Sequence, residues 1–156
     1  MDPLVKLYLE RADTEIVEAE SLFKISGDNS LKAILKIDVS KTFYSGVISH
    51  SYYAIFYSAK AYLLSKGITI SSPREHQKVY LAFSKLVNEK TINKELFNIY
   101  DKEFLKAEVL LEILEGELGK RTKFTYKTLP QANKEPAFES TENANKFYKA
   151  INALLG

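Results

Sequence analysis

The stretch SHSYYAIFYSAKAYLLSKG at residues 49–67 is the densest run of aromatic and apolar side chains in the chain. Extended back to about residue 40, it carries Tyr44, Ile48, Tyr52, Ile55, Ala59 and Tyr62 at three- and four-residue steps, which is one face of a helix. A second stripe, His50, Tyr53, Tyr57, Lys60 and Leu64, recurs at the same steps on another side. The spacing predicts a long helix over residues 40–66, with Gly67 as its C-terminal cap. A helix that is aromatic or apolar on more than one side is central to a bundle or touches a second subunit.

The flanking segments read as further helices. Asp2 followed by Pro3 is a start signal, and Leu4, Leu7, Tyr8, Ala12, Ile16, Ala19 and Phe23 follow at helical spacing to about Ser26. Residues 31–39 fit either a short helix or an irregular connector. Ser72, Pro73, Arg74 and Glu75 match a capping box, in which serine and glutamate side chains satisfy each other's backbone N–H groups, ahead of a helix through Tyr80, Phe83 and Val87. Leu96, Tyr100, Phe104, Ala107, Leu111, Leu114 and Leu118 predict a helix of about six turns, with Gly119 beyond it. Residues 119–139 contain Pro130 and Pro136 and little periodicity, so they read as a long loop. Ser140 or Thr141 then caps a last helix with Ala144, Phe147, Tyr148, Ile151 and Leu155 inward. Short connections favour antiparallel neighbours, so the expected fold is all-α: an up-and-down four-helix bundle with an additional C-terminal helix, one domain over residues 1–156.

Composition agrees. The 156 residues are 46% hydrophobic and 27% charged, which excludes an intrinsically disordered chain. Six glycines and four prolines are few for a strand-rich fold. A net charge of +2 gives no bulk argument for nucleic acid or membrane binding. The absence of cysteine removes disulfides, thiolate metal sites and cysteine nucleophiles. His50 and His76 are the only imidazoles, so a zinc site would need carboxylates from elsewhere, and neither a metal nor a cofactor is expected. There is no apolar run long enough to span a membrane and no signal-peptide order at Met1-Asp2-Pro3-Leu4, so the expected location is cytoplasmic.

Residues 49–67 resemble the central helix of HEPN-domain proteins: a basic residue, x-Tyr-Tyr-Ala, an aromatic pair, Ala-x-Ala, a leucine pair and a closing glycine. The resemblance extends to Glu75-His76 opening the next helix, to an Arg-x-x-x-x-Tyr element from Arg121 to Tyr126, and to Ala144 to Phe147 in the terminal helix. It implies a four-helix bundle that forms a homodimer. It also implies one of two roles. Some HEPN proteins are ribonuclease toxins that use an Arg-x(4–6)-His motif across the dimer; others are noncatalytic partners of a minimal nucleotidyltransferase, or nucleotide binders. Here Arg11, Arg74 and Arg121 are not followed by histidine at the required distance, and Tyr126 stands where the histidine would be. A phenol with a pKa of about 10 is a poor general base near neutral pH.

Candidate residues follow from both readings. Arg121, with Lys120 and Lys123 beside it, is suited to hold a phosphate, or simply to meet the negative end of a helix. His50, Tyr53, Tyr57 and Lys60 present a groove for base stacking and phosphate contact, against the commoner role of such stripes in packing. His76, Arg121 and Tyr126 are the candidate catalytic groups; a structural histidine is the ordinary reading of His76, and Tyr126 fits a structural hydrogen bond as well as a substrate contact. The expected function is a dimeric binding module for a nucleotide, RNA or a nucleotidyltransferase partner in a toxin–antitoxin-type system. The alternatives are a divergent metal-independent ribonuclease using Arg121 and Tyr126, and a bare scaffold.

Overall fold

The Asp2 side chain accepts from the Leu4 backbone N–H at 2.7 Å, and Pro3, which has no N–H to satisfy, starts the first helix, α1 (Pro3–Ser26). Asp28 does the same for α2 (Asn29–Ile34), accepting from Leu31 N–H at 3.0 Å, so the segment read two ways is a short helix to Ile34 and an irregular connector over residues 35–39. The computed structural model describes residues 1–111 and 134–156. Within them follow α3 (Tyr44–Ser65), α4 (Glu75–Asn88), α5 (Lys94–Leu111) and α6 (Lys134–Leu155), with no strand among the described residues. The protein is all-α, as its periodicities predict.

Cross-helix contacts give the directions. Leu22 lies against Gly46, Glu15 meets His50 and Tyr8 stacks on Tyr57, so α1 and α3 run antiparallel. Lys106 meets Glu139, Glu103 meets Asn143 and Tyr100 packs on Phe147, so α5 and α6 are also antiparallel. Phe23 against Phe138 and Glu20 against Asn145 reverse α6 relative to α1. The C-terminal helix therefore packs into the bundle, and Ala144, Phe147 and Ile151 join its core. Both ends of the predicted α3 stripe are inside: Tyr44, Ile48, Tyr52, Ile55, Ala59 and Tyr62 are all buried.

Four local expectations are corrected. In α1 the inward line runs through Val5, Leu9, Ala12, Ile16 and Ala19, while Leu4 and Leu7 are exposed. Helical spacing admits both series, and the contact with α3 selects the first. Next, α3 starts at Tyr44 and not at residue 40, because Asp38 draws Ser40 N–H into a local turn at 2.8 Å. The capping box does not form either. Arg74 is the residue ahead of α4, in the left-handed region with φ 56°, and no side chain caps the helix; Glu75 pairs with Lys60 instead. Finally, α6 begins at Lys134 and not at Ser140 or Thr141. Pro136 sits in its first turn, where a missing N–H costs nothing. Ser140 then faces inward and donates to Glu103. The expected loop thus gives way to helix at residue 134, while Leu114, Leu118, Gly119 and residues 119–133 lie outside the described residues.

Gly67 ends α3 as predicted. Its φ is 79°, its N–H donates to Leu64 C=O, and Ile68 N–H donates to Leu63 C=O, both at 2.9 Å, which satisfies two terminal carbonyls. A Cβ there would meet nothing within 4 Å, so substitution is penalised only through the backbone. Gly67→Ala should cost about 1–2 kcal/mol in urea unfolding, with no change in helical content of the folded state.

Candidate functional site

The second stripe of α3 emerges half-buried between α1 and α4, because the first stripe takes the core. Along it the structure brings together Tyr53, Tyr57 and Lys60 of α3, Tyr8 and Arg11 of α1, and Glu75 and His76 of α4. His50 lies at the other end of the stripe, against Glu15 and Glu18 of α1. Arg121, Lys123 and Tyr126 lie outside the described residues.

The two expected basic residues that are described, Lys60 and His50, each meet an internal partner. The Lys60 ammonium donates to Glu75 and sits 4.5 Å from the centre of the Tyr8 ring. Burial works against its charge, but Glu75 and Tyr8 outweigh burial and hold its pKa above the usual lysine value. His50 Nδ1 is 2.6 Å from Glu15 Oε2 and 2.8 Å from Glu18 Oε2. Arg11 is a further cation on this face, more exposed than Lys60. Its Nε lies 3.3 Å from Glu15 and its guanidinium carbon 5.5 Å from the centre of the Tyr57 ring, while more than half of the side chain is exposed. Sequence spacing did not single out Arg11, since it belongs to no motif and its aromatic neighbour is on another helix.

His76 is built into the bundle. Its Nδ1 lies 2.8 Å from the Tyr52 hydroxyl, and its ring stacks on Phe56 at 4.2 Å between centroids with Tyr53 at its edge. Burial is the largest influence and pushes its pKa below the usual histidine value; Glu75 opposes this and Lys60 adds to it. Burial likewise lifts the Tyr52 phenol well above its ordinary pKa, so that hydroxyl stays protonated. Neutral imidazole and neutral phenol share one hydrogen bond.

A HEPN domain profile matches residues 5–154. The chain belongs to the HEPN domain family. A search of curated proteins found no similar sequence. In this HEPN domain the Tyr-Tyr-Ala signature has a visible structural meaning. Tyr52 is the core member that holds His76, Tyr53 is the half-buried member at the edge of the same imidazole, and Ala54 is wholly buried.

A second polar cluster joins α5 to α6. Glu103, fully buried, accepts from Lys106 at 3.0 Å, from Asn143 at 2.9 Å and from Ser140; Lys106 also reaches Glu139 at 2.7 Å. Burial works against the Glu139 carboxylate, but Lys106 and Lys102 outweigh it and hold its pKa below the usual value. Its only sequence signal was a charged residue at inward helical positions, 103 beside Phe104.

Two outcomes follow. Glu75→Gln leaves the largely buried Lys60 without its carboxylate and should cost about 1–3 kcal/mol in chemical unfolding. For His76 the folded pKa is below the unfolded one, so the unfolded chain binds the proton first; its contribution is present above about pH 6.5 and is lost as pH falls through the folded value. Urea midpoints measured at about pH 7.5 and about pH 5.5 should therefore fall further in wild type than in His76→Gln.

Proposed function

We propose that this HEPN domain is a dimeric binding module that engages a nucleotide, RNA or a nucleotidyltransferase partner, in a toxin–antitoxin-type arrangement, without cutting RNA. The observation that carries this reading is that both imidazoles of the chain are committed to internal partners, His76 to Tyr52 and His50 to two carboxylates. Proton transfer in RNA cleavage asks for an imidazole within reach of the attacking hydroxyl or the leaving oxygen. The sequence adds that no arginine is followed by histidine at the spacing of the nuclease motif, Tyr126 standing five positions after Arg121.

Exposed Leu4 and Leu7 on α1 adjoin half-buried Tyr8, which stacks on half-buried Tyr57 of α3. This apolar and aromatic surface supports the dimer part of the reading. Arg11 over Tyr57 supports recognition of a phosphate beside a stacked base.

Labelled RNA incubated with wild type, Arg121→Ala and Tyr126→Phe in EDTA should remain intact in all three, while light scattering at micromolar concentration reports a dimer. Cleavage by wild type that disappears in Arg121→Ala or Tyr126→Phe would replace this reading with a divergent metal-independent ribonuclease. A monomer would remove the dimer from it.

A further inference from the structure

Glu15 and Glu18 are three residues apart on α1, which places both carboxylates on one face, and His50 comes to them from α3. Their oxygens stand 2.6 and 2.8 Å from the same atom, His50 Nδ1. One N–H directs its proton at one acceptor, so two carboxylate oxygens on a single imidazole nitrogen are more than a hydrogen bond uses. One imidazole nitrogen and two carboxylate oxygens, all within 4.8 Å of one another, are instead a ligand set for a borderline divalent cation.

We propose that Glu15, Glu18 and His50 bind a divalent first-row transition-metal ion, with Zn²⁺ the best match. Zinc holds nitrogen and carboxylate oxygen at about 2.0–2.2 Å, which sets neighbouring ligand atoms of a tetrahedron roughly 3.3 Å apart. The observed separations are shorter, so the ligands spread by roughly 0.5–0.7 Å on binding. Glu18 and His50, with 44% and 32% of their side chains exposed, have the freedom to supply that movement. Glu15 does not need to move: it is almost wholly buried, and Arg11 Nε at 3.3 Å from its other oxygen fixes its orientation. A ligand carboxylate or imidazole held by such an outer partner is the usual construction of a protein metal site. Three protein ligands leave the remaining position to water on the Glu18 side. Sequence spacing conceals this set, because His50 stands 35 residues from Glu15 and the pairing exists only once α1 lies against α3.

The metal alone is the probe. Protein stripped with EDTA and dialysed is titrated with ZnCl₂ by calorimetry, using wild type, Glu18→Gln and His50→Ala, with circular dichroism on each. The expected result is one Zn²⁺ per chain in wild type, a rise in its melting temperature with Zn²⁺, and at least about tenfold weaker binding in both variants. No saturable one-to-one binding overturns the proposal and leaves a plain ion-pair cluster. Unchanged affinity in Glu18→Gln overturns it as well, since the ion is then held elsewhere. Should His50→Ala fail to fold, Glu18→Gln decides, because its side chain lies at the rim.

Discussion

The bundle depends on enclosing α3. Val47, Ile48, Ser51, Tyr52, Ala54, Ile55, Phe56, Ser58, Ala59, Ala61, Tyr62 and Leu63 are all buried, which takes in more than one side of the helix. Each large apolar side chain among them gains about 1.5–3 kcal/mol when removed from water, so the helix is stable only where other helices cover it. That requirement assigns α1, α4, α5 and α6 their places. Small residues permit the close approach: a Cβ on Gly46 would stand 3.1 Å from Leu22 Cδ1, tighter than ordinary contact, so α1 can lie as near as it does because nothing projects there. Tyr52 then links this packing to the polar layer, touching Phe104 with its ring and His76 with its hydroxyl.

The buried charges pin the helices in register more than they add to stability. Glu103 and Lys106 on α5 are both nearly or fully buried and satisfied by Ser140, Asn143 and Glu139 of α6. The desolvation of such a pair roughly cancels its attraction, while loss of one partner strands the other in a medium that cannot solvate it. A slide of α6 along α5 by one turn would break every one of these bonds at once. Apolar contacts, which are non-directional, would tolerate that slide better. The Lys60 to Glu75 pair fixes α4 against α3 in the same way.

Periodicity made most of this legible. The α3 stripe, the Asp2-Pro3 start, the Gly67 stop and the inward residues of α6 rest on local geometry, which the chain carries in its own spacing. Two of the failures share one cause. Leu4 and Leu7 against Val5 and Leu9, and Glu75 as a capping side chain against Glu75 as the partner of Lys60, are choices between locally equivalent options. A neighbouring helix decides between them, and the neighbour is remote in sequence. Pro136 shows the converse: read as a breaker, it is tolerated in the first turn of α6, so position within the helix and not residue type decided the outcome. The site was half legible for the same reason. Tyr53, Tyr57, Lys60 and His76 do meet along one face, but what occupies their polar groups comes from α1 and α4.

Those partners change which residue on that face is equipped to recognise an anion. Lys60 gives its charge to Glu75 and Tyr8, and His50 faces two carboxylates, so an anion approaching either meets neighbouring carboxylate charge. His76 is neutralised by burial and offers no charge. Arg11 differs in its chemistry. A guanidinium has five donors in a planar fork, and here Nε serves Glu15 while the plane rests near Tyr57 and the side chain remains mostly in solvent. The contact with Glu15 and the ring orders the side chain without consuming its outer donors, which lowers the entropy lost when an anion arrives. An ordered arginine beside an open tyrosine edge is the combination that nucleotide recognition uses, a phosphate on the fork and a base on a ring. On this face Arg11 of α1 is therefore more open to solvent than Lys60 or His50 of α3.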